Sequence, residues 1–388
     1  MTHTISLTAG QQSLTIRSDT SDVIHWATTY FGPYWKTTPA NSNTTHNGPL
    51  LTITNGDHHR PATHAHHAVF AREPIGYTHH PDKTVTAHTL AGPPLAFRYN
   101  PAQQHLHISS QQAIETTHPG RPTPLAIATT RFAREMLRSQ LLADGWALLH
   151  ASAVVLPDGR ALLAVGNSGA GKTTSALTLA SAGAGLLAND CCFARPNTAG
   201  TLDLLPWPAA AAVGLGLLHA LHFTDLARSH LQAGEPPHPT QDQRVTDALL
   251  TGRPWALRTT AGRELKAHIW PDQLTRWFGL TLATTGTATR VLLPRTVSSS
   301  TTPPRGDDAT PTVTDSVFMT ADEDRYPDMF GFTAGNSAGT SEACGQVLQR
   351  MNRLSRQAID LRYDEGANRR TLTTLITTRP GLDRGMER

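Results

Sequence analysis

Eight consecutive residues constrain this chain more than any others. Gly166-Asn167-Ser168-Gly169-Ala170-Gly171-Lys172-Thr173 fits the pattern G-x-x-x-x-G-K-[ST] at every fixed position. The flanks suit it: Ala161–Val165 is an apolar run of strand length, and Thr174–Ala182 has helix-forming composition. The glycines allow backbone conformations that turn successive N–H groups toward one point, and the helix N-terminus adds partial positive charge there. The segment therefore predicts a strand, a phosphate-cradling loop and a helix, with Lys172 reaching the β- and γ-phosphates of a nucleotide and the Thr173 hydroxyl meeting Mg²⁺.

Two local features set this loop apart from the commoner parallel-sheet arrangement. His150–Leu156 reads as a strand, and Pro157-Asp158-Gly159-Arg160 is a tight turn into Ala161–Val165. So short a connection makes the pair an antiparallel hairpin, because a parallel pair needs a crossover of about a dozen residues or more. Beyond the helix, Leu186-Leu187-Ala188-Asn189-Asp190 reads as a short strand ending in a carboxylate. The spacing places Asp190 at the end of the strand next to the phosphate-loop strand, near the Mg²⁺ site.

On these residues (His150-Ala151-Ser152-Ala153-Val154-Val155, the hairpin, Gly166–Thr174 and Gly185–Asp190) the sequence resembles the HPr kinase/phosphorylase family and its phosphoenolpyruvate-carboxykinase-like fold. Looser similarity continues through Trp207-Pro208 and Leu265–Pro294, to the shorter HPr-kinase-like proteins found beside bacterial peptide-modification genes. The resemblance implies ATP with Mg²⁺ as donor and a serine-type hydroxyl on a peptide or protein as acceptor. It further implies that Gly166, Asn167, Ser168, Gly169, Ala170, Gly171, Lys172, Thr173 and Thr174 bind the nucleotide, that Thr173 and Asp190 hold the metal, and that His150 faces the phosphates. In the family two consecutive Asp residues follow the helix, the first a general base and the second a metal ligand; here the pair is Asn189-Asp190. Asn189 cannot take a proton, so at the base position Asp190 or His150 is left to assist. The family's later signature loop is not recognisable, which argues against HPr itself as substrate. A small-molecule kinase and a nucleotide-binding scaffold with weak or no catalysis stand as alternatives.

The expected fold class is α+β or α/β: a phosphoenolpyruvate-carboxykinase-like core with a mixed sheet, plus a β-rich N-terminal domain. Residues 1–120 read as short strands, including Ser13–Ile16, Leu50–Thr54 and a hairpin of Ala96–Tyr99 with His105–Ile108 around Asn100-Pro101-Ala102. The stretch 118–124, rich in Pro, reads as a linker into a kinase-like core over 125–388. Within it, Leu125–Ala143 has helical periodicity, 200–295 reads as apolar strands between polar loops, and 296–315 as a flexible loop. Val347, Leu348, Met351 and Leu354 form a helical stripe, and Ile359–Tyr363 a final strand.

The balance of 33 Lys and Arg against 30 Asp and Glu leaves a net charge of only +3, which argues against a dedicated nucleic-acid binder. The N-terminus has no signal-peptide pattern, no apolar run is long enough to span a membrane, and three cysteines make no disulfide framework, so a cytoplasmic location without a membrane partner is expected. Oligomeric state is left open.

Weaker signals receive the simpler reading. His58-His59, His64-Ala65-His66-His67 and His79-His80 read as solvated-loop histidines rather than a metal site, and Cys191-Cys192 as buried thiols. Arg258, Arg263 and Lys266 read as surface charge, though an anionic substrate would suit them, and Asp322-Glu323-Asp324-Arg325 as a solvated loop.

Overall fold

In the computed structural model of the chain the described residues are 2–40, 48–56, 64–70, 73–110, 121–297, 311–320, 324, 327–362 and 364–377. Sheets of mixed direction combine with nine α-helices among these residues, an α/β protein. Internal contacts divide the chain into two units. The first comprises Met1–Leu149, Phe193–Arg195 and Phe318–Gln346; the second His150–Cys192, Pro196–Val317 and Val347–Arg388.

The first unit is built on β1 (His3–Ala9), β2 (Gln12–Ser18), α1 (Ser21–Phe31), β3 (Lys36–Pro39), β4 (Leu50–Thr54), β5 (His66–Phe70), β6 (Glu73–His79), β7 (Val85–Thr89), β8 (Leu95–Asn100), β9 (His105–Ser110), α2 (Pro124–Ala143) and β10 (Ala147–Leu149). Nine of the strands form one sheet in the order β3-β1-β2-β4-β9-β8-β7-β6-β5. Strands β2, β4 and β9 run parallel, and every other neighbouring pair is antiparallel. Alternation turns Leu7, Ile16, Leu51, Ile53, Leu106 and Phe97 to one face, where they are buried with the apolar sides of α1 and α2. The expected strands and the β8–β9 hairpin are present.

Helix α2 matches the periodic segment, and its start explains the Pro-rich stretch before it. Thr123 caps the helix by accepting from the Ala126 N–H at 3.2 Å, and Pro124 occupies the first turn, where its missing N–H costs nothing. Residues 121–124 are thus a helix-initiating signal rather than a linker; 118–120 lie outside the described residues.

In the second unit follow β11 (Ser152–Val155), β12 (Arg160–Ala164), α3 (Lys172–Ser181), β13 (Gly185–Ala188), β14 (Cys192–Pro196, its middle three residues in the first unit), β15 (Leu202–Pro206), β16 (Ala211–Gly214), α4 (Leu215–Ala220), α5 (Phe223–Gln232), α6 (Gln243–Thr251), β17 (Leu257–Arg258), β18 (Glu264–Ile269), α7 (Pro271–Phe278), β19 (Gly286–Thr296), α8 (Ser341–Arg353, which straddles the division), β20 (Ser355–Leu361) and α9 (Glu365–Thr377). β11 and β12 form the expected antiparallel hairpin. Within this unit the strand order is β15-β19-β12-β11-β13. β19 is long enough to pair β15 through Gly286–Ala288 and, in parallel, β20 through Arg290–Thr296. The stretch expected as strands and loops over 200–295 also contains α4 to α7, whose apolar residues Leu218, Phe223, Leu249 and Trp277 join one core with Leu177 and Leu186. Among the described residues no helix is long and apolar enough to cross a membrane.

Candidate functional site

The loop begins where β12 ends. The Val165 N–H donates to the Leu292 carbonyl at 3.0 Å, continuing the parallel pairing of β12 and β19 one residue beyond the strand. Gly166, Gly169 and Gly171 then adopt φ of +145°, +82° and +107°. Gly171 is doubly constrained, since a Cβ there would overlap the Leu361 side chain at the end of β20. The Thr296 hydroxyl donates to the Gly169 carbonyl at 3.2 Å, so the carboxyl ends of β19 and β20 brace the loop. Gly171 caps α3, which leaves the first N–H groups of that helix directed at the loop's mouth. Lys172 is 7% exposed, and its Nζ donates to the carbonyls of Gly166 at 2.7 Å and Asn167 at 3.4 Å. Its charge is thereby held inside the loop.

The second half of the site comes from β11 and β13. Both β12 and β13 run antiparallel to β11, so β12, β13, β19 and β20 all point the same way, and their carboxyl ends lie at one end of the sheet. Open α/β sheets bind ligands at that end. One expectation changes here. β13 is not the neighbour of the phosphate-loop strand; β11, the outgoing arm of the hairpin, lies between them. That intervening strand brings His150, just before β11, opposite Asp190, just after β13. His150 Nε2 lies 3.0 Å from Asp190 Oδ1. The Ser152 hydroxyl donates to the Asn189 carbonyl and pins the turn between them, while the buried Asn189 Oδ1 has no hydrogen-bond partner.

Burial works against ionisation of Asp190, but the hydrogen bond from His150 and the positive charges of His150, Lys172 and Lys266 outweigh it and hold the carboxyl below the usual range. Its side chain is 64% exposed, so this carboxylate is ionised and open to a ligand. An ionised carboxylate only accepts, so His150 Nε2 is the donor of this pair.

The site thus joins Gly166–Thr174, Lys172, His150, Asn189 and Asp190 in one unit. Among the described residues no three His, Cys, Asp or Glu side chains come together as a metal site. A Mg²⁺ ion needs less, one or two carboxylates with phosphates and water, and the Thr173 hydroxyl and the exposed Asp190 carboxylate are oxygen donors of the kind it takes. Sequence reasoning passed over Ser152, Thr296 and Leu361, which act only through long-range contacts. It weighed Lys266 as ordinary surface charge; the residue is exposed on β18, opposite Gly214, within electrostatic reach of Asp190.

Other signals resolve separately. Cys191 and Cys192 are buried, and burial pushes the Cys192 thiol up to about 12. His66 and His79 are exposed on strands β5 and β6 rather than in loops, and the His64 ring packs against those of His67 and His88. Asp324 is not solvated: its carboxylate meets the buried Arg138 guanidinium at 2.7 Å. Residues 58, 59, 322, 323, 325 and 298–310 lie outside the described residues.

Comparison with known proteins gave no matching family model and no matching curated protein.

Proposed function

We propose that this chain is an ATP-dependent kinase of HPr-kinase-like, phosphoenolpyruvate-carboxykinase-like architecture, acting on a serine-type hydroxyl of a peptide or protein. The observation that carries the reading is the meeting of a complete phosphate loop with the His150–Asp190 pair at the carboxyl ends of parallel strands. Bound Mg-ATP would supply the transferable phosphoryl group and neutralise its charge. The N–H groups of Gly169 and of Gly171 to Thr174 would hold phosphate oxygens, that of Ala170 being bonded to the Asn167 carbonyl, and Lys172, released from its own loop carbonyls, would balance charge on the transferring group. Thr173 and Asp190 hold the metal. Asn189, whose Oδ1 is buried, cannot take the proton of the attacking hydroxyl. That proton passes to the His150 imidazole, and the Asp190 carboxylate, 3.0 Å from Nε2, stabilises the imidazolium that forms.

The test is transfer from γ-labelled ATP to a panel of serine-containing peptides. Wild type is expected to label a peptide, and Lys172→Ala to lose both nucleotide binding and labelling. The amide at position 189 favours a second reading, a nucleotide-dependent binding module with little turnover. Lys172-dependent nucleotide binding without labelling of any peptide would select that reading and overturn the kinase.

A further inference from the structure

The three-stranded sheet β16-β18-β17 of the second unit divides its residues between two faces. Ala211, Val213, Ala267 and Ile269 are buried in one core with Leu177 of α3 and Leu186 of β13. Those two elements are the helix that begins at Lys172 and the strand that leads into Asp190. Pairing and alternation put Ala212 and Gly214 of β16, Glu264, Lys266 and His268 of β18, and Arg258 of β17 on the other face.

The polar side chains of this face are not equally available. His268 Nδ1 lies 3.1 Å from Thr240 Oγ1, and the His238 ring packs edge-on against the His268 ring. Arg258 donates to the Gly262 carbonyl at 2.8 Å within its own hairpin. Glu264 leans across to β16, where a Cβ added at Gly214 would come within 2.6 Å of Oε1. Lys266, opposite that glycine, is exposed and enters no hydrogen bond or ion pair among the described residues. Its positive charge bears on the Asp190 carboxylate together with those of His150 and Lys172. Such an influence between solvated groups reaches about 8–10 Å, a Debye length. The other two charges are committed, His150 to the carboxylate itself and Lys172 to the loop carbonyls. A molecule that approaches Asp190 from solvent therefore meets Lys266 as the uncommitted cation.

We infer that Lys266 is a specificity determinant for the acceptor, receiving a carboxylate that the peptide carries close to the serine presented to His150 and Asp190. The inference rests on the kinase reading and names its substrate class: a serine with Asp or Glu within three residues. Three extended residues span about 10 Å at roughly 3.4 Å each, which matches the reach between Lys266 and Asp190. The nucleotide is the poorer claimant for this ammonium. Its phosphates would lie in the loop, where Lys172 and the α3 N-terminus already face them.

The experiment titrates the full chain, with Mg²⁺ and a non-hydrolysable ATP analogue, into labelled glycine-rich peptides and reads fluorescence anisotropy. Each peptide has one serine and, two residues to either side, glutamate, glutamine or lysine. Transfer from γ-labelled ATP is followed on the same peptides. The glutamate peptide is expected to bind most tightly. Lys266→Glu should weaken it by about three- to fivefold, the range of an exposed ion pair, and should favour the lysine peptide instead, a reversal that a folding defect would not produce. In transfer, KM for the peptide should rise while KM for ATP stays. Arg253→Glu, the same charge change at another exposed position of the unit, should leave the preference intact. The inference is overturned by equal binding of the glutamate and glutamine peptides, by an equal effect of Arg253→Glu, by a rise in KM for ATP instead of the peptide, or by no peptide binding at all. Labelling without a preference for glutamate overturns the subsite and keeps the kinase. Lys266-dependent binding without labelling keeps the subsite and overturns the kinase.

Discussion

At position 189 an amide stands beside the Asp190 carboxylate, its Oδ1 buried without a partner. Exchanging the amide for a carboxylate restores a group able to take a proton, so Asn189→Asp is expected to preserve or raise turnover in a steady-state phosphoryl-transfer assay. Asp190→Asn keeps an acceptor for His150 but removes the negative charge that the proposed metal and an imidazolium need, and is expected to abolish Mg²⁺-dependent transfer. His150→Gln keeps a hydrogen-bonding side chain but no base; a loss of about 10²- to 10⁴-fold in kcat, with nucleotide affinity retained, is expected. If His150→Gln keeps its rate, another group receives the proton. How legible these residues were depends on how local their roles are. The phosphate loop is contiguous and announces itself, whereas Ser152, Thr296 and Leu361 owe their roles to partners 37, 127 and 190 positions away, and no spacing rule reaches so far.

Among the elements, α2 shows what periodicity can and cannot supply. Its apolar spacing marks the helix, but not that the same helix buries Arg134, Glu135 and Arg138. Arg138 meets Glu135 at 2.9 Å and Asp324 at 2.7 Å, and donates to the Ser337 carbonyl as well. Removing one member of such a group leaves uncompensated buried charge, so Arg138→Ala is expected to lower stability by about 3–5 kcal/mol in denaturant titration. By contrast Thr123→Ala removes one cap and should cost only about 1 kcal/mol. Strand β13, which leads into Asp190, teaches a related lesson. Its existence was readable from composition, yet its partner was not, because strand order is set by how a crossover packs rather than by any segment's own residues. The region 200–295 misled for another reason: helices such as α4 are short and apolar enough to read as strands.

The nine-stranded sheet adds a pH dependence to the first unit. Burial, reinforced by His107 and Arg17, lowers the affinity of His105 for a proton in the folded state. The unfolded chain, with an imidazole near the ordinary value of about 6.5, takes up that proton first on acidification. The stabilising difference is complete above that value and is lost as pH falls through the folded one. The unfolding midpoint should therefore drop between about pH 7 and 5, with a shallower slope in His105→Gln.

At the scale of the whole molecule, the two units differ in what they offer a nucleotide. Every residue of the proposed nucleotide site belongs to the second unit, within its continuous segment His150–Cys192. A nucleotide that binds only the folded state stabilises by RT ln(1 + [L]/Kd), about 2.7 kcal/mol at a hundredfold excess over Kd. For a unit of this size that corresponds to a rise of roughly 5–10 °C in its unfolding midpoint. The expected result is therefore a selective shift: a non-hydrolysable ATP analogue with Mg²⁺ slows hydrogen exchange in α3, β12 and β13, while β1, β2 and β4 in the first unit keep their rates. Lys172→Ala should remove the shift, since its ammonium is the charge that the loop offers to the phosphates. Arg98→Glu should leave it intact, because that substitution lies on the sheet of the first unit. Equal protection in both units would mean that they unfold as one body. No protection at all, in a wild-type chain whose fold is intact, would remove the nucleotide from the account and the kinase with it.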